Sequence, residues 1–447
     1  MSTQHTHPEQ AQPAPHGMSR RAFLSATGKA SMALAATSGL AFFAGRAPVF
    51  AQTKTLHILE WSSFVKEADV ERDRQAAEFG KQAGVKVTVE HINANDLAAR
   101  ATAAIEGGKG PDILQLLNNS PHLYAGGLED HSKLLAELGG EEFYPFIRAA
   151  SQVEGVYRGV PNFFGGGANT YRKDIFQKVG IDKIPETWEE HLAAGKKLKK
   201  FGMPIGQTLG HTFGDAPGFA YPLMWSFGAK EVDEQGKVAI NSKEMLAAIE
   251  FMKEFWAGAC DEGGLAWDDT NNNRAFLAEA IACTLNGASI YFVARNNPDK
   301  APPGMADKIG HFLLPKGPAG RFHTVGTFSN CITKYSENKE AAQDYIRFIH
   351  QKDNFEKFLV TNKGYINGPL PEWQKHPMWE SDPAITIFRE LPQYGRSAGY
   401  MGPYNRKASE VWAKYIIVDI FARAVKGEAP KSVLEWAERE LKNVYEA

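Results

Sequence analysis

The apolar positions of this chain change period repeatedly along its first third. Lys54-Thr55-Leu56-His57-Ile58-Leu59 alternates polar and apolar residues as a strand does, and Val70 to Gly84 repeats its apolar residues at helical spacing. Lys86-Val87-Thr88-Val89-Glu90 returns to alternation. The alanine-rich run from Asp96 to Gly107 predicts a helix with glycine at its end, and Gly110-Pro111-Asp112 turns into an apolar strand over Ile113–Leu116. Strands alternating with helices in this way imply a mainly parallel sheet flanked by helices. Ligands of such sheets sit at the carboxyl ends of the strands, so the segments Trp61–Phe64 and Asn118–Tyr124 are predicted to face a cleft.

The stretch from Glu154 to Lys200 organises the remainder. Gly155-Val156-Tyr157 is a tight turn, Arg158-Gly159-Val160-Pro161 a short strand stopped by proline, and Phe163-Phe164 runs into three glycines, Gly165, Gly166 and Gly167. Glycines there can take backbone angles closed to other residues. The chain is extended again through Asn169-Thr170-Tyr171 and forms a short helix from Lys173 that ends at Gly180. At Pro185-Glu186-Thr187-Trp188-Glu189-Glu190 a longer helix begins, with Thr187 as its cap and two glutamates at its positive end. Strand, glycine bend, strand and capped helix is how a chain crosses between lobes through a hinge. Further on come an aromatic-rich helix over Phe219–Gly228, an amphipathic helix over Asn241–Gly258, a polar loop Trp267–Arg274 and a strand over Ile281–Gly287.

At 447 residues the chain exceeds what one core usually supports, so two lobes are expected. A formal net charge of −2 argues against a nucleic-acid partner, and the run Lys196-Lys197-Lys199-Lys200 reads as the solvated face of a helix. Cys260, Cys283 and Cys331 form neither a CxxC pair nor a metal-ligand spacing. They allow one disulfide at most, and buried free thiols are the favoured reading. At the N-terminus, Ser19-Arg20-Arg21-Ala22-Phe23-Leu24 matches the twin-arginine export motif. A weakly apolar segment follows, then Val49-Phe50-Ala51, so residues 1–51 are expected to be a signal peptide cleaved after Ala51.

Several ordered motifs carry a family resemblance. Tyr157, Pro161, Tyr171-Arg172-Lys173-Asp174-Ile175-Phe176, Gly180 and Pro185-Glu186-Thr187-Trp188-Glu189-Glu190 resemble the first interlobe crossing of the sugar-type extracellular solute-binding proteins of ABC importers, the family that includes the maltose-binding protein. Gly110-Pro111-Asp112-Ile113 resembles the strand that precedes a ligand-contacting loop there, and Thr324-Val325-Gly326-Thr327-Phe328 and Gly364–Pro369 resemble the second and third crossings. Two departures stand near the family's Gly and Trp: Ala280, and the pair Ser289 and Tyr291. The resemblance implies a two-lobe α/β periplasmic binding protein fold of type II, each lobe a mainly parallel sheet flanked by helices. The expected lobes are residues 52–166 with 325–364 and residues 167–324 with 365–447. It further implies a periplasmic monomer that captures a sugar or oligosaccharide by hinge closure and delivers it to a membrane ABC permease, without a cofactor.

A sugar presents C–H faces that pack on aromatic rings and hydroxyls that need paired donors and acceptors. The candidate ligand contacts are therefore Trp61, Ser62, Phe64, Asn118, Asn119, Asp215, Trp267, Asp268, Asn272, Tyr291, Tyr404 and Trp412, with Gly165, Gly166, Gly167, Gly326 and Gly368 assigned to hinges and no metal site. No G-x-S-x-G, H-E-x-x-H, Walker A or G-x-G-x-x-G motif is present, which argues against catalysis. Other polar solutes remain open as alternatives: a polyamine, a polyol phosphate or a ferric ion. A polyamine would want several carboxylates in the cleft, which the Asn-rich loops do not favour. A carbohydrate-active enzyme exported by the twin-arginine route is the reading from another class.

Overall fold

The computed structural model describes residues 54–447. The twin-arginine motif and the expected cleavage after Ala51 lie outside the described residues. Residues 54–447 form one compact unit that carries two two-stranded ribbons and is built on two larger sheets. Their strands, in chain order, are β1 (Thr55–Trp61), β2 (Lys86–Ile92), β3 (Ile113–Leu117), β4 (Val160–Gly165), β5 (Ala168–Arg172), β6 (Cys283–Asn286), β7 (Ile309–Phe312) and β8 (Gly326–Ile332). The five-stranded sheet has the order β2-β1-β3-β8-β4, and the three-stranded sheet the order β6-β5-β7.

The local sequence explains these elements. β1 and β2 pair in parallel from Thr55↔Lys86 to Trp61↔Ile92, joined by helix α1 (Lys66–Ala83), whose left-handed cap is Gly84. Helix α2 (Ala94–Gly107) is capped by Asn93 and leads towards β3. Helix α3 (Trp188–Phe201) opens with the expected cap as a full capping box: Thr187 Oγ1 accepts from the Glu190 amide, and Glu190 returns a carboxylate oxygen to the Thr187 amide. The aromatic-rich helix is α4 (Asp215–Ser226), and the amphipathic one is α5 (Lys243–Ala259), which packs its apolar face on α3.

The expectation of a mainly parallel sheet holds for strand direction in the five-stranded sheet, where β1, β2, β3 and β4 run one way, and needs correction in the three-stranded one. β5 pairs antiparallel with both β6 and β7, and parallel contacts on that side are short: single bridges from Ile205 to Cys260 and Cys283 and from Thr187 to Lys316, and the two-residue pairing of His323-Thr324 with Gly395-Arg396. In each sheet one strand runs against its neighbours, β8 in the first and β5 in the second. The reason lies in how each strand is fed. Strands that follow a helix run towards the shared edge and end there, as β2, β3 and β6 do. β5 and β8 start at that edge, directly after the chain has passed from one sheet to the other, so they run away from it.

The glycine triplet is corrected in its cause. None of Gly165, Gly166 and Gly167 has a positive φ. What they supply is space: a Cβ on Gly167 would sit 2.8 Å from the Leu285 side chain, and one on Gly166 3.1 Å from both Leu391 and the Thr324 carbonyl oxygen. Cys260, Cys283 and Cys331 are buried free thiols, as favoured, and burial pushes each up. Among the described residues no helix is long and apolar enough to cross a membrane.

Candidate functional site

The carboxyl ends of β1, β3, β4 and β6 converge on a cavity of about 890 Å³, its open mouth included. One wall is aromatic. Trp61, the last residue of β1, stacks on Tyr365 at 5.9 Å between centroids and 18° between planes. Phe64 and Phe328 tilt against Trp61 at 6.1 and 5.1 Å. The other wall is polar and carries Asp215, Asp269, Asn286 and Ser289, and Trp412, itself stacked on Tyr221 at 5.1 Å, completes the lining. At the mouth the Phe213 amide donates to Asn95 Oδ1 at 3.0 Å.

Asp215 is the first residue of α4. Its Oδ2 accepts from the amide of fully buried Asn272 at 2.6 Å, and Asn272 also donates to the Leu285 carbonyl. Asp269 is held differently: both its oxygens accept backbone N–H groups, from Gly214 at 2.9 Å and Asp215 at 2.8 Å. Burial pushes the Asp215 carboxyl well above the usual carboxylate range, and the charge of Asp269 adds to this. Asp269 is raised by burial too, with the two amides opposing. Burial raises the Tyr365 hydroxyl, and the charges of Asp215 and then Asp269 reinforce the rise. No Lys, Arg or His lines the cavity among the described residues.

Asn118 follows β3 in the left-handed region at φ 51°, a conformation asparagine tolerates. Two bonds to Thr327 pin it there: its amide donates to the Thr327 carbonyl at 2.7 Å, and its Oδ1 accepts the Thr327 N–H at 3.3 Å. Its side-chain Nδ2 is buried at the cavity wall with no partner. A buried donor left unpaired carries a desolvation cost of about 1–3 kcal/mol, which a ligand oxygen would relieve.

Of the twelve ligand contacts expected from the sequence, the cavity wall brings together Trp61, Phe64, Asn118, Asp215 and Trp412, with Gly165, Gly166, Gly167 and Gly326 beside them. Asn272 stands one layer behind, holding Asp215. Ser62 and Asp268 line an adjoining open pocket that shares Trp61, Phe64, Ala94 and Asp269 with the cavity. There Asp268 is occupied as a turn former, accepting from the Thr270 amide and hydroxyl at 2.7 and 2.6 Å.

The remaining candidates are turned elsewhere. Asn119 is buried and ties β3 to the C-terminal part of the chain, donating to the Ala398 carbonyl while its own carbonyl accepts from Ser409. Trp267 packs over Gly206 and Gly263. Tyr291 donates to Asp382 at 2.6 Å in a separate pocket with Arg295, and Tyr404 stands by Ser397 and Arg396. Gly368 leaves room for the ring of Trp373 packed against it. Sequence reasoning did not single out Tyr365, Phe213 or Asn286 as contacts. Tyr365 lies in the segment already recognised as the third crossing, and that position at a strand junction was the available signal.

Known proteins bear on this arrangement. The model for the family described as bacterial extracellular solute-binding protein matches residues 74–387. A Brucella abortus (strain 2308) protein, named as a candidate binding protein, is 27% identical over 234 residues, covering 50% of this chain and 54% of its own length. The chain thus spans about half the length of the first curated relatives it matches. Among solved structures, the maltose-bound MalE3 of T. maritima superposes with a TM-score of 0.74 at 23% identity, covering 87% of this chain and 99% of its own. A solute-binding protein of Thermotoga lettingae bound with α-D-tagatose gives a TM-score of 0.75 at 21% identity, covering 88% of this chain and 100% of its own. The fold is that of the type II periplasmic binding proteins, and the chain belongs to the family of bacterial extracellular solute-binding proteins.

Proposed function

We propose that this protein is the substrate-binding component of an ABC importer and that its cavity captures a carbohydrate. One observation carries the reading: a stacked aromatic pair, Trp61 and Tyr365, shares a cavity with an unpaired buried donor, Asn118 Nδ2, and an acceptor carboxylate, Asp215. Rings for C–H faces, together with separate donors and acceptors for hydroxyls, are what a sugar demands. The sugars bound in the two solved relatives support the class. The lack of a basic residue on the wall disfavours a polyol phosphate, and one wall tyrosine is a poor basis for ferric capture, which would want a pair.

In this reading residues 52–166 with 325–364 form one lobe and residues 167–324 with 365–447 the other. The chain bends at Gly165–Gly167, Gly326 and Gly368 as the lobes close on the ligand. The Phe213–Asn95 hydrogen bond joins the two lobes so defined, and would form on closure. In this reading the protein is exported folded by the twin-arginine route, acts in the periplasm as a monomer, and docks on the membrane permease in its closed form. Binding and delivery involve no chemical step.

Thermal unfolding of the full chain against mono- and oligosaccharides and polyols tests this. A carbohydrate at 100 times its dissociation constant stabilises by about 2.7 kcal/mol, a readable rise in midpoint. Turnover of a glycoside, or a rise with ferric salts and no sugar, would contradict it.

A further inference from the structure

The cavity's charge is lopsided. Its wall carries two carboxylates and, among the described residues, no basic side chain. Neither Asp215 nor Asp269 takes part in an ion pair, although the ion pairs elsewhere in the described chain are many, from Arg172 with Asp174 to Arg347 with Glu137. The two acids are not equivalent. Both oxygens of Asp269 are filled by backbone amides of the α4 turn. Asp215 has a single donor, Asn272, on Oδ2, and its other oxygen carries no hydrogen bond among the described residues. The cavity that Asp215 lines is otherwise built largely of rings and small residues. The Tyr365 ring packs over Gly287, and Tyr365, Trp61 and Phe64 lie within 5.9–6.3 Å of one another. Ring faces attract cations, and an exposed carboxylate oxygen in a partly desolvated cavity does so more strongly. The unpaired Asn118 Nδ2, more than nine-tenths buried on the same wall, asks for the opposite partner, a ligand oxygen.

We propose that the cavity is selective for a carbohydrate bearing a protonated amine, the ammonium donating to Asp215 beside the Trp61–Tyr365–Phe64 rings and a hydroxyl accepting from Asn118. This rests on the carbohydrate reading above and narrows it. Reading the chain alone disfavours a polyamine, because the loops are rich in asparagine. Folding brings two carboxylates, 54 residues apart, to one wall. Asp215 is thus a specificity-determining residue: it rewards an ammonium, accepts a hydroxyl weakly, and repels an acid sugar, for which no positive group stands on the wall.

The test is a set of matched ligands on the full chain, read by calorimetry: glucosamine, glucose and glucuronate, and the galactose series alike, with choline and spermidine as amines that are not sugars. The amino sugar of at least one series is expected to bind about tenfold or more tighter than its neutral counterpart, with the acid sugar weakest. In the D215N variant that advantage falls to within about threefold, because the carboxylate's charge is gone while an acceptor oxygen remains. The comparison on the unaltered chain stands even if the variant does not fold. Equal or tighter binding of the neutral or acid member overturns the amine selectivity and leaves the carbohydrate reading intact. Binding of choline or spermidine with no sugar bound supports the ammonium site and overturns the carbohydrate reading. Silence across all the amines overturns the inference.

Discussion

Two regions of this protein bury charge, and they treat it in opposite ways. Beneath the five-stranded sheet, Arg72 is almost wholly buried and engaged through both terminal nitrogens, while its Nε has no partner among the described residues. It donates to Gln75 at 3.0 Å and to Asn162 at 2.9 Å, and its guanidinium lies 3.6 Å from the centroid of the Phe358 ring. Buried Glu60 is raised by desolvation, and the Arg72 charge opposes that rise. At the cavity, Asp215 has a neighbour of its own sign and one amide donor, with no cation to balance it. The first arrangement is what a fold needs to keep charge inside at tolerable cost. The second leaves charge unbalanced at the wall of an open cavity. On the proposed function, the Arg72 cluster serves the fold and the Asp215 cluster serves recognition.

The sharpest way to break the comparison is Arg72→Ala. It strands Glu60 without its counter-charge and empties two hydrogen bonds, so urea unfolding should show a loss of about 3–5 kcal/mol. A loss below about 1 kcal/mol would mean that the cluster is not balanced as described.

Glu231 provides an intermediate case. It is buried away from the cavity, accepts from the Tyr445 hydroxyl at 2.6 Å, and is pushed up to about 7 by burial. An acid whose pKa is raised by folding stabilises the fold fully below its unfolded value, and that stability is lost as pH rises through the folded value. The chain should therefore lose stability between pH 4.5 and about 7, a drop of up to roughly 3 kcal/mol from this group at 1.36 kcal/mol per pKa unit. Glu231→Gln should flatten that part of the curve, with or without ligand.

Asp215→Asn should act with the same sign and a smaller effect, about 1–2 kcal/mol in favour of the ligand-free variant at neutral pH. The gain should vanish below pH 3.8, where the carboxyl is neutral in both states. Smallest in stability, and aimed at ligand affinity instead, is Asn118→Gly. Glycine keeps the left-handed backbone, so unfolding should change by less than about 1 kcal/mol, while carbohydrate affinity should fall by about tenfold.

The fold was largely legible in the chain. Alternation at Leu56 and Val87 and the cap at Thr187 mark real elements, because each is set by local periodicity or by a hydrogen bond spanning three residues. What stayed hidden was set by distance in sequence. Asp215 stood out as a turn residue, but its neighbour Asp269 and its support Asn272 arrive from 54 and 57 residues away. Trp267, Tyr291 and Tyr404 lie beside polar runs, as cavity aromatics do, yet their rings point into packing or towards Asp382 and Ser397. Sequence spacing locates a loop at the cleft; it does not tell which way a side chain turns. The direction of β5 was hidden for a related reason, since strand polarity here depends on which sheet the chain has just left.

The most direct measurement compares the unfolding midpoints of the unaltered chain and Asp215→Asn, ligand-free and then saturated with the amino sugar that binds best. If the cavity's charge is kept for a ligand, the order inverts: the variant is the more stable protein when empty, and the unaltered chain is the more stable when filled. The same order in both states would contradict the account, since Asp215 would then be one more buried acid like Glu231.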